Sequence, residues 1–270
     1  MVIKMKNKKI NTFIFVFRII SLIIVIICLY VLYWWYVDNQ KNNTLKQDLS
    51  KFIVSKKQEE NPENPYIPKY TKATDEIGAY VEQFQVTFDD LLEQNPDSVG
   101  WIRVLDTNIS YPIVQTTDND YYLTHNINLE KNGAGWIYAD YRNNFETLDR
   151  NTIIYGHNRR NGTMFSNLQY YLNEDFYKDP NHKYINFNTI NQAYLAEVFA
   201  VYMMKPEDVD LKNDYPTDAE FFSDVGFWKA NSVYNFNVDI NSNDKILTLF
   251  TCDDDTTYRI LVHAKLVPLN

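Results

Sequence analysis

The chain has 270 residues, and its 35 acidic residues outnumber 26 lysines and arginines to give a formal net charge of −9. That length allows one large or two small domains beside an N-terminal segment. The acidic balance argues against a nucleic-acid partner. Aromatic residues are frequent, with 21 Tyr and 16 Phe, and this usage favours strands over helices.

The N-terminal segment has the pattern of a membrane anchor. Residues 1–12 hold four lysines and no acid, and the run Ile19–Val37 carries no charge. About 20 apolar residues suffice for a spanning helix, so we predict a transmembrane signal-anchor at 13–37. The lysine bias predicts a cytoplasmic tail at 1–12 and a C-terminus outside the cell membrane. A cleaved signal peptide is the alternative, but no small-x-small cleavage site follows the apolar run.

A polar segment separates the predicted anchor from the rest of the chain. Residues 38–73 read as an extracytoplasmic stalk, with Leu45, Leu49 and Phe52 at helical spacing in a short amphipathic stretch. A second helical pattern begins at Thr74, a plausible N-cap, and ends at Asn95. We therefore predict a folded domain at 74–270 that opens with this helix.

From Val99 onward the hydrophobic period changes to that of strands. Short strand candidates separated by turn residues predict a mainly β barrel or sandwich. Helical inserts are predicted at Phe165–Leu172 and Asp218–Asn231. The strand candidates are Val99–Leu105, Ile109–Val114, Gly135–Ala139, Thr152–Tyr155, Tyr184–Phe187, Ala193–Tyr202, Lys245–Thr251 and Arg259–Val267.

Cys252 is the first candidate for chemistry. Cys28 lies in the predicted span, so it cannot pair with Cys252, and a lone extracytoplasmic thiol calls for an explanation. The runs on either side of 253–258 read as a β-hairpin, which brings Cys252 and Arg259 to the same end of the sheet. A fixed cation beside a thiol favours the nucleophilic thiolate. The alternative is a buried, inert cysteine that packs as a small apolar group.

A cysteine nucleophile needs a partner that handles protons, usually a histidine. His157 fits best, because it ends an apolar run beside a glycine and opens a polar loop. His125 is ambiguous, His182 is expected to be solvated, and His263 is expected to be packed in a strand. A purely structural role for every histidine stays open.

Arg259 offers a rigid fork of donors that does not titrate usefully. Beside an acyl-transfer site it could hold a substrate backbone or stabilise an oxyanion. The alternative is a surface ion pair with the acidic turn 253–255. Three consecutive acids rarely converge on a metal, so a solvated turn is the favoured interpretation of that triplet.

These residues resemble the sortase signature. Thr248–Cys252 followed by Arg259 is similar to the Thr-Leu-x-Thr-Cys strand and its arginine, and Asn151–Asn158 resembles the histidine segment. The resemblance covers about residues 74–268. Features similar to class B sortases are Gly162–Phe165, Val99–Ile102, Tyr111–Gln115 and Asp118–Leu123.

The resemblance implies a closed sortase-type β-barrel with an N-terminal helix, preceded by one transmembrane helix. It implies a cysteine transpeptidase of Gram-positive-type bacteria, without cofactor or metal. Such enzymes cleave a C-terminal sorting signal of a secreted protein and pass the acyl group to a cell-wall amine. By motif position Cys252 would be the nucleophile, His157 the general acid/base and Arg259 the transition-state stabiliser. Substrate-binding positions would be Asn119, Leu123 and Asp253.

Two departures bear on the substrate. Phe250 stands where class B members often carry Ser, and Met203–Asp210 lacks a Thr and a Tyr that help some members hold their signal. Both an Asn-Pro-x-Thr and a Pro-x-Thr-Gly type of signal therefore stay open. Two other functions also stay open, a cysteine peptidase with water as acceptor and a non-catalytic stalked binding module.

Overall fold

The structure is a computed structural model that describes residues 2–55, 84–252 and 257–269. The chain divides into two compact units, an N-terminal unit at 1–45 and a barrel unit at 46–270. Each unit is considered by itself below.

The N-terminal helix α1 has the bounds Val2–Leu49, and a 3₁₀ turn follows at Ser50–Phe52. The stretch Phe13–Phe52 contains a window of mean hydropathy 3.0, none of which is buried. By length and composition this is a candidate membrane span, in line with the sequence prediction. In the barrel unit, Leu49 and Phe52 are buried, so the apolar positions predicted at helical spacing contribute to packing there.

Within the described residues, the remaining helices are short or peripheral. They are α2 (Phe88–Gln94), α3 (Glu174–Tyr177) and α4 (Asp218–Asn231), with 3₁₀ turns at Tyr121–Leu123, Ser166–Leu172, Pro180–His182 and Pro206–Asp208. The strands are β1 (Ile53–Ser55), β2 (Phe84–Val86), β3 (Ser98–Val104), β4 (Ser110–Val114), β5 (Tyr138–Ala139), β6 (Asn151–His157), β7 (Tyr184–Thr189), β8 (Ala193–Met204), β9 (Ile246–Cys252) and β10 (Arg259–Pro268).

The strands β3 to β10 form a closed barrel, as the sequence predicts. The order around it is β3, β4, β5, β6, β9, β10, β8 and β7, which returns to β3. Most neighbours are antiparallel, but β4–β5 and β6–β9 are parallel. Parallel neighbours require both strands to be covered, and β6 and β9 are accordingly almost continuous buried runs.

The helix predicted between Thr74 and Asn95 is wrong in its central part. Residues 74–83 lie outside the described residues, but Phe84–Val86 is a strand that pairs antiparallel with Ile53–Ser55. The backbone N–H of Thr87 also donates to the carbonyl of Phe52 at 2.9 Å. Long-range strand pairing thus overrides the helical spacing of the apolar residues, and the helix is confined to Phe88–Gln94.

The predicted strand at Gly135–Ala139 is also shorter than expected. Gly135 has a φ of +57°, outside the strand region. The next residue, Trp136, donates its backbone N–H to the carbonyl of Tyr122 at 2.8 Å. Only Tyr138–Ala139 joins the barrel as β5, and this local departure shapes the candidate site.

Candidate active site

Cys252 and His157 end two adjacent barrel strands at the same edge. The parallel register of β6 and β9 pairs the two residues directly. Neighbouring strands lie about 4.8 Å apart, and paired residues project to the same face. The next backbone N–H, from Asn158, donates to the carbonyl of Cys252 at 2.9 Å and extends the pairing. The thiol and the imidazole are therefore held side by side by main-chain geometry.

Arg259 begins β10 at this edge. In the antiparallel register of β9 and β10, Leu261 lies opposite Phe250. Continued by two residues, this register sets Arg259 opposite Cys252, as the hairpin interpretation predicts. The backbone N–H of Ile260 donates to the hydroxyl of Thr251 at 2.9 Å and ties the two strand ends together. Arg259 is half-buried.

The imidazole of His157 is oriented by a backbone carbonyl. Its Nε2 lies 2.9 Å from the oxygen of Leu123. A carbonyl oxygen only accepts, so Nε2 carries the hydrogen and Nδ1 is left as the nitrogen that gains or loses a proton. Leu123, a predicted substrate-binding position, thus orients the ring of His157 through its main-chain carbonyl.

A glycine makes the approach of Leu123 and His157 possible. A Cβ on Gly135 would lie 2.7 Å from the Leu123 oxygen and 2.9 Å from Cδ2 of His157. Its positive φ is also unfavourable for other residues. Both constraints select glycine at this position.

Tyr138 on β5 contacts the thiol. Its hydroxyl oxygen lies 3.8 Å from Sγ of Cys252, and its side chain is buried with 4% exposed. Burial is the main cause that raises the pKa of Tyr138, with Cys252 adding to the shift. The phenol therefore keeps its proton across the neutral range. Its ring also packs against Tyr155, with centroids 5.2 Å apart.

A buried carboxylate, Asp140, holds a hydrogen-bond network that includes Tyr155, the neighbour of Tyr138. Asp140 accepts from Tyr155 at 2.9 Å and from two nitrogens of Arg142 at 2.8 Å each. Burial would raise the pKa of Asp140, but the hydrogen bonds from Arg142 and Tyr155 outweigh it and the net shift is downward. The carboxylate is therefore ionised near neutral pH.

Asn119, another predicted substrate-binding position, is part of the same network. Its Nδ2 donates to Asp140 at 3.1 Å, and its Oδ1 accepts from the backbone N–H of Tyr141 at 3.0 Å. The two bonds fix the orientation of the amide. Asp253, the remaining predicted position, lies outside the described residues.

The other histidines have structural surroundings. His263 is fully buried, bonds Thr248 and Tyr202 through its two nitrogens, and has a pKa lowered to about 3 by burial. His125 stacks on Tyr121 and bonds its backbone carbonyl.

The expectation that His182 is solvated is wrong. Only 8% of it is exposed, it stacks on Phe176 and it contacts Asp106 at 3.1 Å. Asp106 lies 76 residues away in the chain, so the local sequence carries no sign of this contact.

Comparison with known proteins decides the family. A protein-family model described as Sortase domain matches residues 102–267. This chain belongs to the sortase family. Sortase B of Listeria monocytogenes is 42% identical over 181 residues, which cover 66% of this chain and 73% of that protein.

Solved structures agree with the sequence relatives. The Staphylococcus aureus sortase B–substrate complex has a TM-score of 0.65 at 35% identity and covers 68% of this chain and 85% of that one. Sortase B of Bacillus anthracis in complex with AAEK1 has a TM-score of 0.70 at 32% identity and covers 86% and 99%. This sortase is therefore a class B cysteine transpeptidase with the expected closed barrel.

The sequence does not reveal Tyr138, which contacts the thiol of this sortase, or the residues linked to it through Tyr155. Tyr138, Asp140 and Tyr155 become neighbours only through the β5–β6 pairing, which sets Tyr138 opposite Tyr155. A weak signal existed in Ala139–Arg142, where a carboxylate and an arginine two residues apart follow a strand.

Proposed function

We propose that this transpeptidase cleaves a C-terminal sorting signal of secreted proteins and transfers them to a cell-wall amine. The signal is of the Asn-Pro-x-Thr or Pro-x-Thr-Gly type. The candidate span supports anchoring in the cell membrane, with the N-terminus inside and the barrel unit outside. Support for the chemistry comes chiefly from one observation, the direct pairing of His157 with Cys252.

The acylation step uses both residues of that pair. The Cys252 thiolate attacks the carbonyl carbon after the threonine of the signal, and a C–S bond forms. Arg259 stabilises the oxyanion of the tetrahedral intermediate. The C–N bond then breaks, and the departing amine takes a proton from Nδ1 of the His157 imidazolium. The product is a thioester on Cys252 and a neutral His157.

The transfer step reverses the proton movement. An incoming amine attacks the thioester carbonyl and gives a proton to Nδ1 of His157. The C–S bond breaks, the thiolate of Cys252 is released, and the new amide leaves. A solved sortase B is described as a complex with triglycine, which supports a peptidyl amine as the acceptor. Water in place of the amine would give hydrolysis.

The fixed amide of Asn119 supports a substrate role for that side of the site. The Asp140 network orients it next to the segment that holds His157. An oriented amide offers its second N–H hydrogen and its remaining lone pair to a peptide. We assign Asn119, Leu123 and Asp253 to substrate binding.

The test is a product analysis with the full chain in detergent. Peptides with each signal type are incubated with and without triglycine, and the products are read by mass spectrometry. We expect cleavage after threonine and a threonine–glycine ligation product when triglycine is present. Cleavage to the free acid in both conditions would replace transfer with hydrolysis. No cleavage in either condition, together with a Cys252 that is not labelled by a methanethiosulfonate reagent, would favour a binding module.

A further inference from the structure

We infer that Tyr138 is a further catalytic residue, whose hydroxyl donates a hydrogen bond to the Cys252 thiolate and stabilises it. The inference rests on the proposed role of Cys252 as nucleophile. It starts from the 3.8 Å contact between the phenol oxygen and Sγ, which lies within the range for hydrogen bonds to sulfur. No motif in the sequence identifies Tyr138, because β5 reaches Cys252 only through the barrel.

The direction of the hydrogen bond follows from the chemistry of the two groups. Tyr138 is 4% exposed, and burial raises its pKa, so it keeps its hydrogen when the thiol ionises. A thiolate has no hydrogen to give, so the phenol must be the donor. Hydrogen bonds to charged groups are roughly twice as strong as neutral ones. The contact therefore stabilises the ionised thiol more than the neutral one.

The contact serves both halves of the reaction. Before acylation it raises the fraction of Cys252 in the nucleophilic form. When the thioester is resolved, the same hydroxyl stabilises the departing thiolate, and a better leaving thiolate leaves faster. Tyr138 thus acts where charge develops on sulfur, while His157 handles the proton of the amine.

Other groups around the sulfur also affect its ionisation, so the test must separate Tyr138 from them. His157 is paired with Cys252, and Arg259 lies opposite it in the continued register. Tyr155 and Asp120 act on Tyr138 electrostatically, and Asp140 bonds Tyr155. Residues 253–256 lie outside the described residues. Tyr138→Phe changes none of these groups and removes only one oxygen.

The experiment measures the alkylation rate of Cys252 with iodoacetamide against pH. The full chain carries Cys28→Ser so that one thiol is read. In Tyr138→Phe we expect the midpoint of the rate–pH profile to rise by about one unit, the equivalent of one hydrogen bond to a charged group. The rate at high pH should rise about threefold, because a more basic thiolate is intrinsically more nucleophilic. Simple damage to the site would not produce this pair of changes.

Tyr171→Phe is the matched control. It removes a buried phenol oxygen that donates to the His182 carbonyl at 3.0 Å, away from Cys252. Its midpoint should equal that of the parent. An unchanged midpoint in folded Tyr138→Phe overturns the inference. If that variant fails to fold, 3-fluorotyrosine at position 138 replaces it. This more acidic donor should lower the midpoint, and no shift would overturn the inference equally.

These readings are independent of turnover. A shifted midpoint in a chain that cleaves no sorting-signal peptide would support the Tyr138 contact and refute the proposed function. Normal peptide ligation with an unshifted midpoint would leave the proposed function intact and remove Tyr138 from the mechanism.

Discussion

Nε2 of His157 lies 2.9 Å from the carbonyl oxygen of Leu123. The contact ties His157, the proposed acid/base group, to the 3₁₀ turn Tyr121–Leu123, in which a substrate-binding role is proposed for Leu123. It also fixes the tautomer, so that Nδ1 is the nitrogen that exchanges protons. A substrate that displaces this turn would change the position of the base.

The first prediction concerns the identity of the base. His157→Ala should lower kcat for peptide cleavage by about 10²–10⁴-fold, the usual contribution of a general acid/base. The control is His125→Ala, because the described contacts of His125 are all with its local surroundings. That variant should keep most of the activity. Near-parental cleavage by His157→Ala would remove it from the mechanism.

The second prediction concerns Gly135. A Cβ there would meet the Leu123 carbonyl and the His157 ring, so Gly135→Ala should displace the base and reduce kcat at least tenfold. Gly162→Ala is the matched control, since Gly162 also has a positive φ but its Cβ would meet only Asn108 at 3.7 Å.

Both glycine variants should lose roughly 1–2 kcal/mol of unfolding free energy from left-handed backbone strain. Gly135→Ala should lose more than Gly162→Ala, because its Cβ would also overlap the carbonyl oxygens of Tyr122 and Leu123. Only Gly135→Ala should lose catalysis. Equal kcat values in the two variants would contradict the role given to the Leu123 contact. Thermal melts and peptide-cleavage rates, measured side by side, provide the comparison.

Much of the barrel could be predicted from the sequence because its strands are locally encoded. The alternating and continuous apolar runs of β6, β9 and β10 give their positions within a few residues. The helical insert predicted at Asp218–Asn231 is confirmed as α4 with the same bounds, and in the structure Thr217 caps it by accepting from the backbone N–H of Glu220. The short strand at Phe84–Val86 could not be predicted, because 28 residues separate it from its partner strand Ile53–Ser55 and its apolar spacing is also helical.

The candidate site likewise contains residues that the sequence predicts and residues that it does not. Cys252, His157 and Arg259 stand at strand ends, where a change from apolar to polar sequence identifies them. Tyr138 could not be found, because a buried polar group is recognisable only by its partners, and Asp140 had only the weak signal of the nearby Arg142. Those partners come from segments as distant as Asn119 and Cys252.

The third prediction concerns acid stability. The pKa of His263 is lowered to about 3 by burial, against an ordinary value of 6.5. Between pH 6.5 and about pH 3, His263 therefore binds a proton in the unfolded chain but not in the folded chain. The free energy of unfolding consequently falls as the pH drops through this range. His263 alone should contribute about 1.4 kcal/mol of lost unfolding free energy per pH unit across this window.

The check is urea unfolding at pH 6 and pH 4. His263→Gln keeps hydrogen-bonding capacity towards Thr248 and Tyr202 but cannot titrate. Its unfolding free energy should change less between the two pH values than that of the parent. The same slope in both proteins would show that other groups dominate the acid response.

The fourth prediction concerns the Asp140 network. Asp140→Asn removes the negative charge that binds Arg142. It also replaces one of the two carboxylate oxygens by an NH₂ group, which cannot accept the hydrogen bonds that Asn119 and Tyr155 donate to Asp140. If Asn119 binds substrate, the disordered amide should raise KM several-fold while kcat changes less. Asp106→Asn is the control, because Asp106 is exposed and contacts His182 instead. A pure kcat effect would argue against a binding role for Asn119.

The last prediction concerns Arg259, whose proposed role depends on a planar donor fork beside Cys252. Lys keeps the charge but loses that geometry. Arg259→Ala should lose roughly 10²–10³-fold in kcat/KM, the cost of one oxyanion donor, and Arg259→Lys should recover part of the loss. Arg103→Lys is the control, since Arg103 is a half-buried arginine on β3, paired with Asn186 rather than placed at the thiol.

The alternative role of Arg259 is an ion pair with the acidic turn at 253–255. An exposed pair of that kind contributes only about 0–1 kcal/mol to stability. It would give a small change in melting temperature and normal kinetics. The catalytic role gives slow cleavage with an almost unchanged melt, because the strand register is held by main-chain bonds. If both Arg259 variants cleave at the parental rate, the oxyanion must be stabilised by other donors.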